Sequence, residues 1–117
     1  MEQARILVID SSIETQQHLS EQVLQANGYR HLEALTAEEG LAAAREHAPA
    51  LIVLGQDLPD RDSFVLLEEL RALHGPIPVI VAIDDRSTAS ILRAFRLGAS
   101  DVVSRPLDPQ EALAAIR

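Results

Sequence analysis

Short apolar runs alternate with helical patterns five times along the chain. Arg5–Ile9 (RILVI) is rich in β-branched residues and too short for a helix, so it reads as a buried strand. Asp10-Ser11-Ser12 ends it and supplies N-cap candidates, with Ser11 and Glu14 at capping-box spacing. A first helix then runs to about Asn27, where Asn27-Gly28 is a C-terminal stop. Arg30–Leu35 is a weaker strand. Thr36 and Glu39 repeat the capping-box spacing, and a second helix runs to His47, ahead of Pro49. Ala50–Leu54 is the third strand, and the loop Gln56–Asp62, with Pro59 and three Asp, is turn chemistry. Ser63 begins a third helix with Phe64, Leu67 and Leu70 at helical spacing, broken by Gly75-Pro76. Ile77–Ile83 (IPVIVAI) is the fourth strand. Asp84, Asp85 and Ser87 offer caps for a fourth helix that carries Ile91, Leu92, Phe95 and Leu97 and stops at Gly98. Asp101–Ser104 (DVVS) is the fifth strand, and Asp108-Pro109-Gln110-Glu111 starts a fifth helix with N-cap Asp, Pro at N1 and Glu at N3.

Five strands alternating with five helices specify a parallel sheet with helices on both faces. Right-handed crossovers make this an α/β, doubly wound, five-stranded parallel sheet of flavodoxin-like order 2-1-3-4-5. The strand C-termini, Asp10, Gly55, Ile83 and Ser104-Arg105, then gather along one edge, where such folds place their sites. Gly55 stands out there, because the tip of the third strand carries no side chain. At 117 residues and 47% hydrophobic, with no composition break, the chain is one domain. The fifth helix spans barely two turns, so residues 1–117 are expected to be the N-terminal domain excised from a longer signalling protein.

Composition narrows the chemistry. The formal charge is −8, and all ten basic residues are Arg, which argues against nucleic-acid backbone binding. The absence of Cys excludes disulfides and thiolate chemistry and fits a cytoplasmic setting. With one Tyr, two Phe and no Trp, stacking platforms for a base or flavin are hard to build, and no cofactor is expected. No apolar run approaches the ~20 residues of a membrane span, and the N-terminus is not a signal peptide. The four His lack ligand spacing and read as solvated.

The segments RILVID, NGYRHLEALTAEEGL, PALIVLGQDLPDRDSFVLLEEL, PVIVAIDD and LGASDVVSRPLDPQEAL follow one another in an order and spacing that resemble the receiver domain of two-component response regulators. One residue of slack lies between Asp10 and Gly28. The resemblance implies a phosphoacceptor aspartate at the tip of strand three. It further implies Mg²⁺ held by that carboxylate, by two acids after strand one and by a backbone carbonyl. A Ser/Thr after strand four and a Lys after strand five would then hold the phosphoryl oxygens.

This chain departs from that pattern at nearly every position. Asp10 matches the first acid, Ser11 replaces the second, and Gly55 replaces the acceptor. Asp57 falls where a backbone carbonyl would bind metal. Ile83 replaces the Ser/Thr, Arg105 replaces the Lys, Val102 stands at the aromatic switch position, and Pro106 keeps the proline that follows a cis peptide in the family. The expectation is a degenerate pseudo-receiver: not an enzyme, with no phosphorylation site and at most a weak metal site at Asp10. Asp10 alternatively caps helix one or pairs with Arg105, and Gly55 serves a φ > 0 or a close loop approach.

Such a module would act by contact with protein partners or an output domain. Arg93, Ala94, Leu97 and Val102 form the implied interaction and homodimer face of helix four, strand five and helix five. Helix one (His18, Gln22, Gln25) is the alternative docking surface. Two other readings compete. In one, a strand extended to residue 57 aims Asp57 at the crevice as a phosphoacceptor with Mg²⁺. In the other, Ser11, Ser12 and Thr15 at a helix N-terminus bind a nucleotide or flavin phosphate.

Overall fold

The computed structural model of the chain describes residues 4–73, 77–84, 87–105 and 107–117. The breaker Gly75-Pro76, His74, Asp85 and Pro106 lie outside the described residues. Five strands, β1 (Arg5–Ile9), β2 (Arg30–Ala34), β3 (Leu51–Gly55), β4 (Val79–Ile83) and β5 (Asp101–Ser104), form one sheet in the order β2-β1-β3-β4-β5. Every neighbouring pair is parallel. The helices between and after them are α1 (Ile13–Leu19), α2 (Ala37–His47), α3 (Ser63–Arg71), α4 (Thr88–Arg96) and α5 (Pro109–Ile116). This is the doubly wound topology that the alternation of patterns specifies.

Because successive strand residues point to opposite faces, β1, β3, β4 and β5 each feed two cores, while the edge strand β2 feeds one. Leu7, Ile9, Ile52, Leu54, Val79, Val81 and Ile83 pack with residues of α2, α3 and α4, including Leu41, Phe64 and Leu67. Ile6, Val8, Val53, Ile80, Ala82 and Val103 face the other way, onto Leu19, Val23, Leu24 and Ala112. Each fully buried Leu, Ile or Val contributes about 1.5–3 kcal/mol. Burial on both faces explains why these strands read as unbroken apolar runs.

The helix starts are side-chain caps: Ser12 on Thr15, Thr36 on Glu39, Asp62 on Phe64, Ser87 on Ser90 and Asp108 on Gln110, each accepting a backbone N–H. The first corrects the expected Ser11–Glu14 box. Ser12 is the cap, because Ser11 is drawn away to the loop after β3. Helix one is also not uniform. It passes from α1 into a π-helical turn, Ser20–Leu24, and a 3-10 turn, Gln25–Asn27, before Gly28 closes it at φ 80°. Strand limits shift by one or two residues: β3 ends on Gly55, and β4 begins after Pro78, which has no N–H for the ladder.

Candidate functional site

The strand tips meet at the C-terminal edge of the sheet, as the topology requires. Asp10, just past β1, is 2% exposed. One carboxylate oxygen accepts the Ser12 N–H at 2.9 Å, and the other forms an ion pair with Nη2 of Arg105. Arg105 follows β5, where its own N–H bonds the Ile83 carbonyl at 2.9 Å. Its Nη1 lies 3.6 Å from Asp84. The guanidinium thus links the ends of β1 and β5 and the loop after β4. Burial lowers its pKa from the ordinary arginine value. Its Nε is buried and makes no hydrogen bond among the described residues.

Gly55 sits directly against this pair. A Cβ there would stand 2.8 Å from Asp10 Cγ, closer still to a carboxylate oxygen, and 3.0 Å from Arg105 Nη2. The φ reason does not apply, since φ is positive only at Gly28, Gly98 and Ala48 among the described residues, but the close approach does: it is made by the side chains of Asp10 and Arg105, which follow β1 and β5. Two charged side chains occupy the space where a side chain at 55 would begin.

The remaining polar groups of the crevice are engaged within the protein. Ser11 Oγ donates to the Asp57 carbonyl at 2.8 Å. Ser63 Oγ lies 2.6 and 2.7 Å from the carbonyls of Gly55 and Gln56. The Asp84 N–H bonds Gln56 Oε1 at 2.8 Å. Asp57 itself is exposed in an open cavity of about 670 Å³ lined by Ser11, Gln56, Arg61 and Asp62 among others. Partial burial, a hydrogen bond that the protonated Asp84 carboxyl donates to Asp57, and the charge of Asp57 hold the Asp84 carboxyl above its ordinary pKa.

The donor set does not fit a divalent metal. Both oxygens of Asp10 and the Asp57 carbonyl are engaged, and Ser11 and Gly55 stand where further acids are needed. Among the described residues no group of three or more His, Asp or Glu side chains could hold an ion.

Several expected site residues lie elsewhere. Ile83 is 1% exposed, and its side chain belongs to the α2–α4 core; only its carbonyl reaches the site. Ala94 is fully buried, because α4 presents it to the sheet, so it is not part of an interaction face. Arg93 lies 4.4 Å over the Phe64 ring, while Leu97 and Val102 pack at the margin of the core. The exposed apolar residues of α4 are Leu92 and Phe95. β3 ends at Gly55, so no strand extends to Asp57. Of the groups proposed to bind an anion, Ser11 donates its hydroxyl to the Asp57 carbonyl, and the Thr15 backbone N–H is taken by Ser12 Oγ.

Sequence reasoning missed three polar anchors. Ser63, read only as a helix start, secures the end of β3. Asp60 accepts the N–H groups of Ala37 and Glu38 at 2.8 and 3.0 Å, capping α2 from a different loop; these bonds hold its pKa low. Gln16 is fully buried, and its Nε2 lies 2.9, 3.1 and 3.0 Å from the carbonyls of Val8, Asp10 and Ala34. Its Oε1 can only accept, so His31 Nε2 donates to it at 2.7 Å. His18 likewise donates to the Leu107 carbonyl at 2.9 Å. These two His are therefore structural rather than solvated. Burial lowers the pKa of His31, partly offset by Glu33.

Sheet order, edge crevice and the acid at the tip of β1 define a flavodoxin-like doubly wound domain. Within that class the chain belongs to the response regulator receiver domain family, which matches residues 6–117. It is 34% identical over 113 residues to "Probable transcriptional regulator ycf27" of Cyanophora paradoxa, covering 97% of this chain and 46% of that protein. It is 36% identical over 95 residues to "Transcriptional regulatory protein KdpE" of Mycobacterium tuberculosis, covering 80% and 41%. A two-component response regulator from Clostridium difficile superposes with a TM-score of 0.92 at 26% identity, covering 97% and 93%. The chain spans just under half the length of the ycf27 relatives it matches.

Proposed function

We propose that this domain is a pseudo-receiver: a phosphorylation-independent protein-interaction module of a response-regulator-like protein in two-component signalling, and not an enzyme. One observation carries the reading. The buried Asp10–Arg105 pair fills the volume beside Gly55 in which an acceptor side chain and its phosphoryl group would have to stand. Gly offers no nucleophile, and Ile83 turns methyl groups into the core where a hydroxyl would be needed. The partner is an output domain or another protein in the cytoplasm, in keeping with the transcriptional-regulator names of the relatives. Contact, including pairing of two copies, falls on the face of α4, β5 and α5, where Leu92 and Phe95 are 44% and 46% exposed. No helix of the described residues is long and apolar enough to cross a membrane.

The test is incubation with acetyl phosphate or beryllofluoride and Mg²⁺, read by intact mass and amide NMR. The expected result is no mass gain and no shift at residues 10, 55–58, 83 and 105. A phosphoryl adduct on Asp57 would overturn the reading in favour of a working phosphorelay receiver.

A further inference from the structure

The crevice raises a question that loss of the acceptor does not answer: what balances the buried charge of Asp10. A carboxylate that is 2% exposed is sustained only by a close opposite charge or several hydrogen bonds. It has one backbone N–H, from Ser12, and one cation, Arg105. The same guanidinium faces Asp84, whose carboxyl adjoins that of Asp57. Three acids therefore surround one crevice, and among the described residues Arg105 is the cation paired with them, Arg61 at the cavity rim being held by Glu69.

We infer that Arg105 is the resident cation of this crevice, a side chain that takes the place of a divalent ion and keeps the site closed to metal. Two independent features support it. The position of the guanidinium is structural rather than incidental, because the Cβ space of Gly55 is filled by the pair itself: Nη2 lies 3.0 Å from where that atom would be. In addition, the carbonyl that the family resemblance implies as a metal ligand, that of Asp57, already accepts from Ser11, so an entering ion would compete with a hydroxyl as well as with a guanidinium. An arginine suits this role better than a lysine. Its planar fork reaches two acids at once, and it stays charged when buried. The crevice is therefore held in one state by a contact within the chain, with no dependence on a dissociable ion.

The inference rests on the pseudo-receiver reading for the meaning of the site, but it fails separately. Mn²⁺ is titrated into the whole chain, and paramagnetic broadening of amide signals is read for the wild type, Arg105→Gln and Asp10→Asn/Arg105→Gln. The wild type should show no selective broadening at residues 10–12, 55–57 and 84. Arg105→Gln frees Asp10 and Asp84, too few ligands for a tight site but enough for weak selective broadening at high Mn²⁺, and the double variant should lose most of it again. Selective broadening in the wild type, or a folded Arg105→Gln that shows none, would overturn the inference. Should Arg105→Gln fail to fold, Gly55→Ala decides. Its methyl group must displace the pair, so the Arg105 side-chain NH signals should shift markedly; unchanged signals would overturn the claim that the pair fills this space. A wild type that accepts phosphate yet ignores Mn²⁺ would sink the proposed function and leave the resident cation standing.

Discussion

Two buried polar centres lie a few residues apart in this domain and are built on opposite plans. Under helix one, the Gln16 amide is uncharged, and both its nitrogen and its oxygen have partners: three strand-end carbonyls and the His31 ring. At the crevice, Asp10 and Arg105 are both charged, one guanidinium nitrogen has no hydrogen bond among the described residues, and the pair forces glycine on its neighbour. The amide centre ties together main-chain carbonyls at the ends of β1 and β2, so it behaves as part of the scaffold. The ionic centre satisfies groups that need not have been charged at all. A buried ion pair seldom adds stability over an apolar alternative, but removing one half is severe. That asymmetry makes the crevice, rather than the amide, the centre most sensitive to loss of a single partner.

The contrast can be broken in order of expected effect. Asp10→Asn leaves the guanidinium without its counter-charge and should cost about 3 kcal/mol, the low end for a broken buried pair because Arg105 keeps partial access to water. Urea unfolding would show a lower midpoint with unchanged slope. Gln16→Leu keeps the volume but strips the carbonyls of Val8, Asp10 and Ala34 of a donor, for a loss of about 1–3 kcal/mol in the same assay.

The smallest effect is a pH slope from His31. Folding depresses its pKa, so the unfolded chain binds the proton first as the pH falls below the ordinary value of 6.5. The stability contributed by the neutral ring is complete above that value and is lost as the pH falls through the folded pKa. Comparing wild type with His31→Gln across pH 5–8 isolates this term; parallel curves would mean that the ring titrates as if in water.

The sequence carried the architecture because two-faced burial leaves its mark on the central strands. RILVI, the run into Gly55 and VIVAI each contribute to both cores, as a doubly wound sheet requires. Asp10 pairing with Arg105 was legible as one of two stated alternatives, since acid and base both stood at strand C-termini along one edge of the sheet. Its consequence for Gly55 was not, because it depends on a close approach in three dimensions between residues 55, 10 and 105. Ala94 was misread for a simpler reason: an alanine suits either face of a helix, and only packing shows which one it serves. Gln16 and Ser63 escaped notice because a polar residue at helical spacing reads as solvent-facing until its carbonyl partners are placed.

The π-helical turn at Ser20–Leu24 has a consequence for recognition. One residue of slack lies between Asp10 and Gly28, and an extra residue in a regular helix would rotate all that follows by about 100°. The wider turn absorbs that rotation. Gln16 and Leu19 before it, and Val23 and Leu24 after it, all stay buried beneath the helix. The outer surface keeps its phase for the same reason: Glu14, Gln17, Glu21, Gln22 and Gln25 are exposed along the opposite side. A partner that grips the first turns of helix one would therefore find the last turns in line with them.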